Sequence, residues 1–333
     1  MDKARRRRWA FVAAVLALFV FSFLAALAFG PASIPIKSVF KYLFGGRAHG
    51  DANSVIFWQI RMPRALLAVL VGAALAVAGG ILQGLFLNPL TDPYVTGVSS
   101  GAALGATLAF FFHLNGVPWP SLFALAGGFL TLFFVYSLAR KAGRLNIYLL
   151  LLSGVTISYL FFAVVSVIML KSGKDVNAVL FWLLGSFSGR GWTEVQTALV
   201  IIPFLVVPFF FTDELNILLQ GEERAMELGV EVERVKKLLF FVAAFLTSVA
   251  VSVSGIIGFV GLVVPHIARL ILGPDHKKVL SLSIFLGASV MCLSDLLARV
   301  VFAPSEIPVG IVTIFFGAPF FIYLLRKRGA GWS

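Results

Sequence analysis

Apolar residues run through this chain in long blocks, and polar residues are confined to the gaps between them. Ten blocks stand out, at roughly 9–29, 65–86, 97–113, 119–139, 147–170, 195–212, 237–256, 258–272, 279–300 and 308–325. Most approach the roughly 20 residues an α-helix needs to cross the ~30 Å hydrocarbon core of a bilayer. In that core only helices and closed barrels satisfy their backbone hydrogen bonds. Barrel strands would be about ten residues long and would alternate apolar with polar. These blocks are longer and do not alternate, so the pattern predicts an all-α membrane protein with about ten transmembrane helices. The segment 176–187 is also apolar but shorter, and is read as a short outer re-entrant-like helix. The block 258–272 is short and Gly-rich, the weakest full crossing of the ten.

Composition narrows the picture. Of 333 residues, 60% are hydrophobic and 13% charged, and the mean hydropathy is +0.99. No stretch is long and polar enough for a separate soluble domain, so residues 1–333 are read as a single transmembrane domain. The net charge of +12 would suggest nucleic acid in a soluble protein; here it reflects basic flanks facing the cytoplasm. Cys292 is the one cysteine, which excludes an intrachain disulfide and a cysteine-based metal site. Neither a cofactor nor a metal site is read from the chain, and His113 and His266 are read as packing residues. The run Arg5–Arg8 followed by Trp9–Phe29 resembles a secretion signal. The apolar run is too long for one and Phe29-Gly30-Pro31 is a poor cleavage site, so it is read as a first retained helix.

Charge placement predicts orientation. With both termini inside, 18 Lys and Arg residues fall on the inner side and 9 on the outer, the bias expected of cytoplasmic loops. Arg61, Arg64 and Arg299 fall on the outer side against that bias and need a reason. Two halves are also discernible. Arg64–Gly84 is a long apolar helix followed by the Gly-broken run from Gly97 to Gly105; Val235–Gly255 is another, followed by the run from Gly258 to Pro265. An even division into two inverted five-helix halves, with Gly/Pro interruptions at matching places, is a transporter pattern.

Two interruptions carry chemistry. Residues 213–236 form the longest inner loop, where Asp213, Glu214, Glu222, Glu223, Glu227, Glu231 and Glu233 alternate with Leu, Ala, Met and Val at helical spacing. Gly221 and Gly229 punctuate it, which predicts two short helices split by a glycine turn on the cytoplasmic face. A bare connector has no need of Leu218, Leu219, Ala225, Met226 and Leu228, so the patch is read as a seat for a partner protein. The turn Asn88-Pro-Leu-Thr-Asp-Pro93 cannot face lipid and is placed within protein or beside a cavity.

An ion-coupled secondary transporter of the same topology is the alternative reading. Such proteins carry ionisable residues near the bilayer midplane, and the middles of these blocks are almost free of them. No G-x-x-x-x-G-K-[ST] phosphate loop occurs either, so the chain is not an enzyme and any ATP hydrolysis belongs to another subunit.

Several motifs, in order, carry a family resemblance. They are Arg61-Met-Pro-Arg64, Gly72-Ala-Ala-Leu-Ala76, Gly79-Gly-Ile-Leu-Gln83, Asn88–Pro93 and Gly97-Val-Ser-Ser-Gly101. Gly221-Glu-Glu-Arg-Ala225, Leu228-Gly-Val230, Gly258–Arg269, Ser294–Arg299, Glu306–Thr313 and Gly317–Phe321 follow. With them the chain resembles the FecCD-type permease subunits of ATP-driven importers for ferric siderophores, haem and cobalamin. The resemblance implies a homodimer of permease subunits in a prokaryotic inner membrane, two cytoplasmic ATP-binding subunits and an extracytoplasmic substrate-binding protein. It implies that Gly221, Glu222, Glu223, Arg224, Ala225, Leu228 and Gly229 couple to the ATPase. It likewise implies that Arg61, Arg64 and Arg299 receive acidic residues of the binding protein. By the same analogy the fifth helix and the 176–187 segment line the pathway, with Ser153, Thr156, Ser158, Ser166 and Asn177 as lining residues.

Overall fold

The structure, a computed structural model, describes residues 3–46, 51–114, 116, 118–141, 144–173 and 176–328. Helices α1 (Lys3–Ala28) and α2 (Ile36–Gly45) lead into α3 (Ala52–Leu85). Helices α4 (Val98–Phe111), α5 (Trp119–Ala139), α6 (Ile147–Lys171) and α7 (Val176–Leu183) follow. A rod spanning Trp192–Leu218 comprises α8 (Trp192–Ala198), α9 (Ile201–Val206), a 3₁₀ turn and α10 (Thr212–Leu218). After it come α11 (Glu222–Glu227), α12 (Val232–Ser254), α13 (Val260–Leu272), α14 (His276–Val300) and α15 (Val309–Arg328). Among the described residues the only strand pairing is a two-residue ladder joining Arg140–Lys141 to Arg144–Leu145. Among the described residues seven helices are long and apolar enough to cross a membrane, and Val98–Phe111, Val260–Leu272 and Val309–Tyr323 are shorter apolar helices.

Helix α3 is the hub because its sequence is built from small residues. It packs most extensively on α14 and α12, and about 83% of its most apolar window is buried, against 17% for α6. A Cβ at Gly72 would collide with the Gly287 carbonyl on α14, and one at Gly79 with Gly261 on α13. Bilayer helices lack a hydrophobic drive to associate, so close backbone approach through such residues supplies the packing contacts. The inner helices α3, α12 and α14 thus form a core, and α1, α5 and α6 turn much of their apolar surface outward.

One expectation is corrected here. Helix α3 begins at Ala52, not near residue 65, and contains a π-helical segment, Ile56–Arg61. Arg61 and Arg64 therefore lie inside a continuous helix and not at its end.

Between α12 and α13 the backbone is irregular, with Gly255 at φ +72° and Phe259 at φ +68°. Its polar groups are met by protein, as non-helical backbone in a membrane bundle requires. Tyr94 Oη donates to the Ile257 carbonyl at 2.8 Å and accepts from the Ile257 amide at 2.9 Å. The Ser186 amide donates to the Ser254 carbonyl at 2.8 Å.

Candidate functional site

At one end of the bundle the 213–236 segment folds as the expected pair of short helices, α10 and α11, parted by Gly221 at φ +106°. Thr212, Leu215 and Leu218 bury one face of α10 in the core, and Ala225 is the buried residue of α11. Gly229, at φ +83°, closes α11: its amide bonds to the Met226 carbonyl and the Val230 amide to the Ala225 carbonyl, each at 3.0 Å. This double bond pattern needs a left-handed residue after the helix, which glycine adopts without strain. The pair is held down by ion pairs and hydrogen bonds. Lys236 Nζ, on a nearly buried side chain, lies 2.5 Å from Glu222 Oε2. Glu233 Oε2 accepts from the Leu145 amide at 2.8 Å, which fastens the loop before α6 to the start of α12. Glu223, Arg224, Met226, Leu228 and Leu219 remain exposed, a mixed apolar and charged surface.

A junction below this pair was not read from the sequence. Asn216 Oδ1 accepts from the His276 amide at 2.8 Å and faces His276 Nδ1 at 3.0 Å. The amide bond fixes that oxygen as an acceptor, so Nδ1 carries the ring proton. The other edge of the buried ring abuts α3 at Gly84, where a Cβ would overlap Nε2. Asp275 caps α14 through the Lys277 amide at 3.0 Å and pairs with Lys278 at 2.5 Å. That hydrogen bond from Lys278 holds the Asp275 carboxyl below the usual carboxylate range. Asn216 thereby ties α10 to α14, whose His276 ring lies against α3.

The opposite end gathers the three arginines. Arg64 Nε lies 2.8 Å from Asp295 Oδ1 and its NH1 2.8 Å from Glu306 Oε2. Arg299 Nε lies 3.1 Å from Asp295 Oδ2. Arg299 also donates to the carbonyls of Ala26 at 3.1 Å and Phe29 at 3.3 Å. Arg61 donates to the carbonyls of Leu27, Phe29 and Ala32. Two guanidinium groups thus cap the last turn of α1, whose carbonyls have no helical partner. All three arginines are 3–6% exposed. Placement inside α3, beside α1 and α14, turns these three side chains inward in this conformation. Their departure from the charge bias is explained by internal pairing and capping.

A cavity of about 540 Å³ opens between α4 and α6, with Leu183 and Ile256 also in its lining. Of the residues expected to line a pathway, Ser158 and Ser166 are in its wall, whereas Ser153, Thr156 and Asn177 are not. Ser158 donates to the Gly154 carbonyl and Ser166 to the Phe162 carbonyl, both at 2.8 Å. Ser100, Tyr94 and Tyr159 join them, and no charged side chain lines the space. Back-bonded hydroxyls leave such a wall largely apolar. Periodicity alone missed Tyr94, although its place just after Asp92-Pro93 marked it as part of a forced turn.

Among the described residues no cluster of His, Cys, Asp and Glu could hold a metal ion.

A polytopic helical bundle with a charged helix pair at one end and an uncharged cavity has the organisation of a membrane permease. The model of the FecCD transport family matches residues 18–327, and the chain belongs to that family. It is 45% identical to the cobalamin import system permease protein BtuC of Halobacterium salinarum over 279 residues, covering 84% of this chain and 75% of that protein. It is 37% identical to the hemin transport system permease protein HmuU of Yersinia pestis, covering 93% of this chain and 95% of that one. Among solved structures it matches an inward-facing conformation of a metal-chelate type ABC transporter, with TM-score 0.85 and 32% identity over 96% of this chain and 99% of the other.

Proposed function

We propose that the chain is the transmembrane permease subunit of a binding-protein-dependent ABC importer for a bulky iron-chelate-type compound (a ferric siderophore or haem) or cobalamin. Family membership along nearly its whole length supports this reading. The relatives named for cobalamin, hemin and iron(3+)-hydroxamate import bracket the cargo class. The observation that carries the mechanism is the α10–α11 pair, rigidly fixed to the core by buried residues and the Lys236–Glu222 bridge while presenting Met226 and Leu228 outward.

In this account α10–α11 faces the cytoplasm, as do both termini. Ten helices cross the bilayer as two inverted halves, and the functional unit contains two permease subunits, two ATPase subunits and one external binding protein. Nucleotide-driven closure of the ATPases moves α11, and a stiff connection passes the displacement to α3 and α14 through Asn216 and His276, as packed elements transmit rigid-body motion. The uncharged cavity beside α6 suits passage without tight binding, since a conduit must release what it admits. Selectivity then rests with the binding protein. Screening the cognate binding protein against cobalamin, haem and ferric hydroxamates by calorimetry tests the cargo class. Binding of none of these, with tight binding of a simple sugar or amino acid, would exclude it.

A further inference from the structure

Helix α2 is an amphipathic element near the arginine cluster that transport itself leaves without a task. Its residues sort into three arcs when wound at about 100° per residue. Val39 and Tyr42 are buried against the bundle, with the Tyr42 ring 5.4 Å from that of Phe57 and its hydroxyl on Asp51. Asp51 in turn caps the start of α3 through the Asn53 amide at 3.0 Å. Ile36, Phe40 and Phe44, spaced by four, form an adjoining exposed apolar edge at 49%, 44% and 86% exposure, and the two Phe rings stack at 6.4 Å. Lys37 and Lys41 form the third arc, exposed and next to that edge.

We propose that α2 is an interfacial helix seated in the lipid headgroup layer, with Ile36, Phe40 and Phe44 at the acyl boundary and Lys37 and Lys41 on lipid phosphates. A helix glued to protein on one side, apolar on the next and basic on the third has the cross-section of the membrane–water interface at the rim of a bundle. Two observations name lipid as the occupant. Helix α2 packs beside α1, which turns apolar side chains such as Phe21 outward at 63% exposure, and Phe29, just past the end of α1, is 56% exposed. The charge beside the apolar edge of α2 is basic, complementary to anionic headgroups. Through Tyr42 and Asp51 this seat holds the start of α3, the hub helix. The inference rests on the membrane placement of the chain and not on ATPase coupling.

The test uses the full chain in nanodiscs, with and without phosphatidylglycerol. Phe44→Cys in a Cys292→Ala background carries a fluorophore, and quenching by doxyl-labelled lipids is compared with quenching by iodide. We expect strong quenching by a shallow doxyl label, weaker quenching by a deep one and little by iodide. Lys37→Gln and Lys41→Gln are each expected to reduce the local enrichment of spin-labelled phosphatidylglycerol about fivefold. Free access by iodide without lipid quenching would overturn the proposal. So would iodide access that disappears only when the binding protein is added, because α2 would then be a protein-docking surface.

Discussion

Arg64 and Asp295 lie 231 residues apart and meet at 2.8 Å, with side chains only 7% and 1% exposed. The bridge ties α3 to α14 beside the capped end of α1. Removing one partner of a buried pair strands the other charge and costs about 3–5 kcal/mol. Asp295→Ala takes a buried anion from both Arg64 and Arg299, leaving Arg64 only Glu306 and Arg299 only backbone carbonyls, so we expect it to lower thermal stability in detergent more than Glu306→Ala, whose side chain is 26% exposed. Equal melting temperatures for the two variants would contradict the network.

Asn216 serves two donors of His276 with one oxygen. Asn216→Ala leaves the backbone N–H and the ring N–H without that acceptor, at about 1–3 kcal/mol for a buried group. We expect the subunit to fold and still bind the ATPase, with transport falling further than ATP hydrolysis. Parallel loss of both, or loss of neither, would remove this junction from the transmission path.

The surface of α11 separates contact from conformation. Leu228 is exposed, at 59%, so Leu228→Glu should leave the fold intact and abolish co-purification with the ATPase. Gly229 has open space around it but φ of +83°, and a side chain there meets backbone strain of about 1–2 kcal/mol. Gly229→Leu is expected to weaken transport with the subunit still assembled in the membrane. Normal uptake by both variants would rule out α11 as the dock.

Acid should loosen the cap of α14. Lys278 holds the folded Asp275 carboxyl below its unfolded value. Its contribution is therefore present above the unfolded pKa, near 3.9, and is lost as pH falls through the folded one. Hydrogen exchange at the first turn of α14 should quicken as pH drops through this range, after correction for intrinsic rates, and Asp275→Asn should abolish that dependence.

The bundle was legible in the sequence because lipid imposes a length and a polarity that apolar blocks display directly. The α10–α11 pair was legible because charge at helical spacing and two glycines are local signals. The arginines were misplaced for a physical reason. Nothing near Arg61 announces that the helix continues back to Ala52 through a π-helical turn, or that Asp295 and Glu306, hundreds of residues onward, will meet Arg64. Asn216 and His276 were invisible likewise, since their pairing depends on how α10 folds back on the start of α14. Of the expected pathway residues, Ser158 and Ser166 share the cavity face of α6, whereas Ser153 and Thr156 lie on other faces of the same helix. Hydroxyl content along α6 does not tell which of its faces meets the cavity.

The central claim is that this subunit moves cargo only under the drive of a separate ATPase docked on α10–α11. The most direct measurement is uptake of the cognate ligand into proteoliposomes holding the permease, with binding protein and ATP on their respective sides, with and without the ATPase subunit. We expect concentrative uptake only when the ATPase is present, and its loss with Leu228→Glu. Uphill accumulation by the permease without the ATPase, driven by a proton or sodium gradient, would contradict the account.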